Sequence, residues 1–96
     1  MKHTNNIKSC NISNEELAKE IGDLYYDNLS EFLEALADKL EKDSLADNKR
    51  GRKKLATSLM NASINIRQSV EDIDYAWKVS KPEVEKWFED NGGHRV

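Results

Sequence analysis

Cysteine, histidine, proline and glycine are all scarce in this 96-residue chain, and each scarcity excludes something. Cys10 stands alone, so no internal disulfide forms, and a cytosolic setting is expected. No histidine lies near it in sequence to activate it, so it reads as incidental to a tail rather than as a nucleophile. His3 and His94 lie near the two ends, and no Glu-x-x-His pair of the kind that builds a helical metal site occurs. With no acid–base dyad to assign either, the chain is expected to be non-enzymatic, without cofactor or metal. No run approaches the roughly 20 apolar residues of a membrane span, and the polar first twelve residues lack the apolar core of a signal peptide.

What remains is helical sequence. Pro82 and four glycines leave long stretches uninterrupted, and strong helix formers dominate. A single domain over residues 13–92 is expected, between a flexible N-terminal tail (1–12) and a short C-terminal tail (93–96). Ser13 with Glu16 three residues on forms a capping-box pattern, and Ile12 with Leu17 fits a hydrophobic staple. Leu17, Ile21, Tyr25, Leu29, Leu33, Leu36 and Leu40 continue at helical spacing. Asn28 or Ser30 offers a cap for a new helix, so a break near 27–30 is preferred to one unbroken helix.

Residues 43–48 read as a connector. Beyond it Leu55, Leu59, Ala62, Ile66, Val70, Ile73 and Trp77 hold one helical face. Ser80-Lys81-Pro82-Glu83 repeats the capping-box pattern with proline in the first turn, so a separate short helix is predicted from there to Gly92-Gly93. The predicted fold is all-α: an antiparallel helical hairpin, or a small helical bundle, with a short C-terminal helix. Two facing stripes bury only a narrow seam, which favours association with another protein or with a second copy as a homodimer.

Charge is strongly partitioned. Residues 11–43 carry ten acids and three bases, residues 44–68 one acid and six bases, and residues 69–93 seven acids and three bases. Lys49, Arg50, Arg52, Lys53 and Lys54 cluster where the second long helix should begin, the wrong sign for a helix N-terminus. They are candidates for binding a partner or an anion such as a nucleic-acid backbone. The alternative is that they pair with the acidic first segment or solvate the surface. The acids Glu31, Glu34, Asp38 and Glu41 read as a solvated helix face. Most aromatics read as core, with Tyr26 and Tyr75 off the main stripes and suited to an interface.

Val79-Ser80-Lys81-Pro82-Glu83-Val84-Glu85-Lys86-Trp87-Phe88, with Ile73 before it, resembles the turn and recognition helix of repressor-type helix-turn-helix DNA-binding domains. Asp74 and Lys78 occupy that family's small-residue and turn-glycine positions. The resemblance covers residues 70–90. It implies that Ser80, Lys81, Glu85, Lys86 and Glu89 face a DNA groove. The sequence thus supports a small cytoplasmic interaction or regulatory protein, with a nucleic-acid-binding regulator as the alternative and no membrane partner.

Overall fold

The computed structural model describes residues 3–92, and the expected tail at 93–96 lies outside them. Three helices, α1 (Asn14–Gly22), α2 (Tyr26–Lys49) and α3 (Lys53–Asp90), follow one another, with no strand among the described residues. Helices α2 and α3 pack as an antiparallel hairpin, so the expected all-α hairpin is what is observed.

Ser13 caps α1 as its sequence implies: its backbone is extended and its hydroxyl accepts the Glu16 N–H at 3.1 Å. The break after α1 falls at Asp23–Tyr25, slightly ahead of the expected 27–30. Neither Asn28 nor Ser30 acts as a cap. Ser30 lies buried inside α2, and its hydroxyl donates to the Asp74 carboxylate at 2.5 Å.

The expected connector at 43–48 is instead the last two turns of α2. Its polar composition has a packing cause, because Ser44 and Asp47 are both buried, Ser44 against the Ala56 carbonyl of α3 and Asp47 beside Arg50 and Arg52. The real connection is Arg50-Gly51-Arg52. Gly51 takes φ +78°, the Gly51 N–H donates to the Asn48 carbonyl at 3.0 Å, and the Arg52 N–H donates to the Asp47 carbonyl at 2.9 Å. This is a Schellman stop, with glycine at the left-handed position.

The predicted boundary at Ser80–Pro82 is absent, and α3 runs unbroken from Lys53 to Asp90 with Pro82 inside it. The short helix therefore lies at the N-terminal end, as α1. Ser80 does not cap; its hydroxyl donates back to the Trp77 carbonyl at 3.4 Å. Tertiary contact overrides the local stop signal. The Tyr25 and Phe88 rings meet edge to face at 5.7 Å, and Trp77, Ser80 and Val84 line a shared cleft with the α1–α2 connector. Gly92 takes φ +91° just beyond α3, in keeping with the expected glycine stop.

The seam also differs from its expected form. Its buried positions are Ser30, Ala37 and Ser44 on α2 and Ala56, Ser63 and Val70 on α3, each set spaced by seven. Small residues let the two backbones approach closely. The Ser44 hydroxyl reaches the Ala56 carbonyl at 2.5 Å, and the Ser63 hydroxyl reaches the Ala37 carbonyl at 2.8 Å. The leucines expected in the seam stand beside it.

The result is an extended molecule, 56 × 30 × 17 Å, with a radius of gyration of 17.1 Å. A compact chain of this length would have about 12.5 Å. The chain exposes 7685 Å², whereas a compact monomer of its mass exposes about 5,600 Å².

Candidate interaction surface

Seven-residue spacing fixes which side chains flank the seam. Three positions after the seam residues come Leu33, Leu40 and, at the turn, Asp47 on α2, and Leu59, Ile66 and Ile73 on α3. Four positions after come Glu34, Glu41 and Asn48 on α2, and Met60, Arg67 and Asp74 on α3. The ion pairs of Arg67 show that the second set shares one side of the hairpin, which leaves the first set together on the other.

The polar side is closed by Arg67. Its guanidinium donates to Asp38 at 2.8 Å, to Glu41 at 3.3 Å and to the Ser63 hydroxyl at 2.8 Å, and lies 3.6 Å from Glu34. The hydrogen bond to Asp38 leads the influences that hold its proton more tightly than in a free arginine, followed by the Glu41 charge. The acidic face expected to be merely solvated is thus partly the counter-charge of one base on α3.

The apolar side is not closed. Leu36 is 39% exposed and Leu55 40%, while Leu29, Leu33, Leu40, Leu59, Ile66 and Ile73 are only half-buried. Val70 is the one large apolar side chain of the stripe that is buried. A soluble monomer seldom leaves so continuous an apolar strip in water, and such strips mark interaction sites. Tyr26 and Tyr75, the aromatics off the stripes, are exposed at 41% and 69%.

At the hairpin turn, the five expected basic residues do gather, Lys49 ending α2, Arg50 and Arg52 in the connection, and Lys53 and Lys54 opening α3. They divide into two groups. Arg50 and Arg52 lie 3.8 and 3.6 Å from the carboxylate of Asp47, which is fully buried and accepts no hydrogen bond. In the Schellman geometry Arg52 and Asp47 occupy the two positions usually joined by an apolar contact. Here an ion pair takes its place. Part of the wrongly signed cluster therefore exists to balance one buried acid. Lys49, Lys53 and Lys54 are exposed and make no ion pair among the described residues.

Asp47 and Arg67 were not singled out from sequence, although a signal existed. Asp47 is the lone acid of the basic block 44–68, and Arg67 is the base in that block farthest from the cluster.

The helix-turn-helix candidates Ser80, Lys81, Glu85, Lys86 and Glu89 all sit within uninterrupted α3. No turn separates a positioning from a reading helix at Lys78–Ser80. Lys81 pairs with Glu85 at 3.8 Å along the helix, Ser80 is half-buried, and Asp74 is engaged by Ser30.

A cleft of 270 Å³ lies between the α1–α2 connector and α3, lined by residues 22–26 with Trp77, Ser80 and Val84. Among the described residues no cluster of metal-ligating side chains occurs, and no helix is long and apolar enough to cross a membrane. No protein-family model, curated protein or solved structure matches the chain.

Proposed function

We propose that the chain is a small helical interaction or regulatory protein, non-enzymatic, that acts by binding another protein or itself through the apolar side of its hairpin. The observation that carries this reading is the exposure of Leu36 and Leu55 on a strip whose other members are only half-buried. Burying such a strip yields roughly 25 cal/mol per Å² of apolar surface. The opposite side, already occupied by the Arg67 network, has less to gain. The single cysteine fits a cytosolic setting.

A photo-crosslinking residue at Leu36, compared in cells with one at Asp38, tests the reading. Adducts from position 36 and few from 38 are expected. No adduct from 36, or equal yields from both, would overturn it.

Lys49, Lys53 and Lys54, exposed and without an ion pair among the described residues, support a second reading: a nucleic-acid-binding regulator using the basic turn. A gel shift with mixed DNA and RNA in about 50 mM salt, where phosphate contacts are strongest, decides it. Absence of binding excludes it.

A further inference from the structure

A second apolar face of the molecule is also left open, that of α1 and the chain beside it. Leu17, Ile21 and Leu24 recur at helical spacing, with Ile7 and Ile12 ahead of them, yet no α1 residue is buried. Ile7 is 45% exposed and Leu24 39%, much as Leu36 and Leu55 are on the strip. Building on the proposed role of the strip, we infer that residues 3–22 form a strap that closes over it and competes with the partner for it.

Tether, length and direction select this occupant. Only Asp23, Leu24 and Tyr25 separate α1 from α2. A tether this short holds the strap at an effective concentration of about millimolar. Tyr25 is anchored on the Phe88 ring at 5.7 Å, so the hinge falls at Asp23–Leu24, between the helix ends. The nine residues of α1 rise about 13 Å. Laid back along α2 from Tyr26, that length ends beside Leu33, with Ile12 next in line to meet Leu36.

The segment ahead of α1 already runs in this direction. Asp43 stands one position before the seam residue Ser44, as Leu36 does before Ala37, so both lie on the apolar side. The Lys39 hydrogen bond chiefly holds the Asp43 carboxyl below the usual carboxylate range, and His3 lies close enough to contribute. The chain therefore returns along α2 toward the turn, while Leu36 and Leu55 stay exposed. Seating Ile12, Leu17 and Ile21 on Leu29, Leu33 and Leu36 removes apolar surface of both from water. A partner then binds only chains whose strap is open, and its affinity falls by the open fraction.

Disulfide trapping tests the closure on the full chain, with the free Cys10 as one half of the pair. A disulfide needs its two Cα atoms within about 7 Å. Leu36→Cys or Leu40→Cys should form an intramolecular bond with Cys10 under mild oxidation. Either should form it at least tenfold faster than Asp38→Cys, which lies on the Arg67 side. Equal rates at all three positions, or no intramolecular bond, overturn the strap.

Anilinonaphthalene sulfonate, a dye that fluoresces on exposed apolar surface, reads the competition. The bonded chain should bind at least threefold less dye than the same chain after reduction. Leu17→Glu with Ile21→Glu, with hairpin helicity retained by circular dichroism, should bind at least threefold more than the parent. Dye binding that ignores both changes overturns the competition. If no bond forms while Leu36 still crosslinks to a partner, the strip remains an interaction surface and only the strap is wrong. If the bond forms and displaces the dye while Leu36 yields no adduct, the strap stands and the partner reading fails.

Discussion

The Ser63 hydroxyl donates to the Ala37 carbonyl of the facing helix at 2.8 Å, and neither residue has any exposed surface. Arg67 donates to the same hydroxyl at 2.8 Å, so one serine joins the seam to the polar side of the hairpin. Ser63→Ala leaves the Ala37 carbonyl its helical hydrogen bond but removes an acceptor from Arg67. The expected cost is about 1–2 kcal/mol. Ser63→Leu adds volume where the backbones are closest and should cost more, about 3 kcal/mol. Urea unfolding of both variants checks the order. A leucine better tolerated than alanine would contradict the close seam.

The same seam explains what was legible beforehand. Helix class, the Ser13 cap and the hairpin followed from periodicity and capping chemistry. The seam centre did not, because weighting positions by hydrophobicity favours leucines over serines. Yet Ser30, Ala37 and Ser44, and Ala56, Ser63 and Val70, both step by seven. A search for small residues at that spacing would have found the buried line. The basic cluster was visible, but not its division into residues that balance Asp47 and residues that face outward. That division depends on burial, which a sequence does not print.

Asp47 and its two arginines should respond asymmetrically to removal. Asp47 is fully buried without a hydrogen bond, while Arg50 and Arg52 are more than half exposed. Arg50→Ala with Arg52→Ala strands a buried carboxylate and should cost about 3 kcal/mol. Asp47→Ala frees two arginines that water can solvate, and should change stability by less than about 1 kcal/mol in either direction. Thermal melts of the two variants, compared at one pH, measure the difference. Equal losses would mean that the ion pairs themselves, rather than desolvation of the acid, dominate.

Gly51 is required by conformation and not by space. Its φ is +78°, yet a Cβ built there meets nothing within 4 Å. Gly51→Ala should therefore cost about 1 kcal/mol from backbone strain alone. Gly51→Asn should cost less, since asparagine adopts the left-handed region more readily. Denaturant melts of the two variants should preserve that ranking. A steric origin would instead penalise the larger asparagine more.

Pro82 interrupts α3 chemically without ending it. Lacking an N–H, it leaves the Lys78 carbonyl without its usual intrahelical donor. The segment stays in phase because Trp77 and Val84 continue the seven-residue line of Ala56, Ser63 and Val70, and because Phe88 meets Tyr25. Pro82→Ala restores the missing bond and relieves the clash of the ring with the preceding turn. It should stabilise the α3 terminus by up to about 3 kcal/mol. Amide exchange across residues 78–90 should slow by an order of magnitude or more, while exchange near Ser63 changes far less. If Pro82→Ala leaves exchange across 78–90 unchanged, contact with the α1–α2 connector already fixes this segment and the proline carries no local penalty. Tyr25→Ala distinguishes the two cases. It should accelerate exchange across 78–90 in the Pro82 parent more than in the alanine variant, because the parent helix depends on the ring contact to stay continuous.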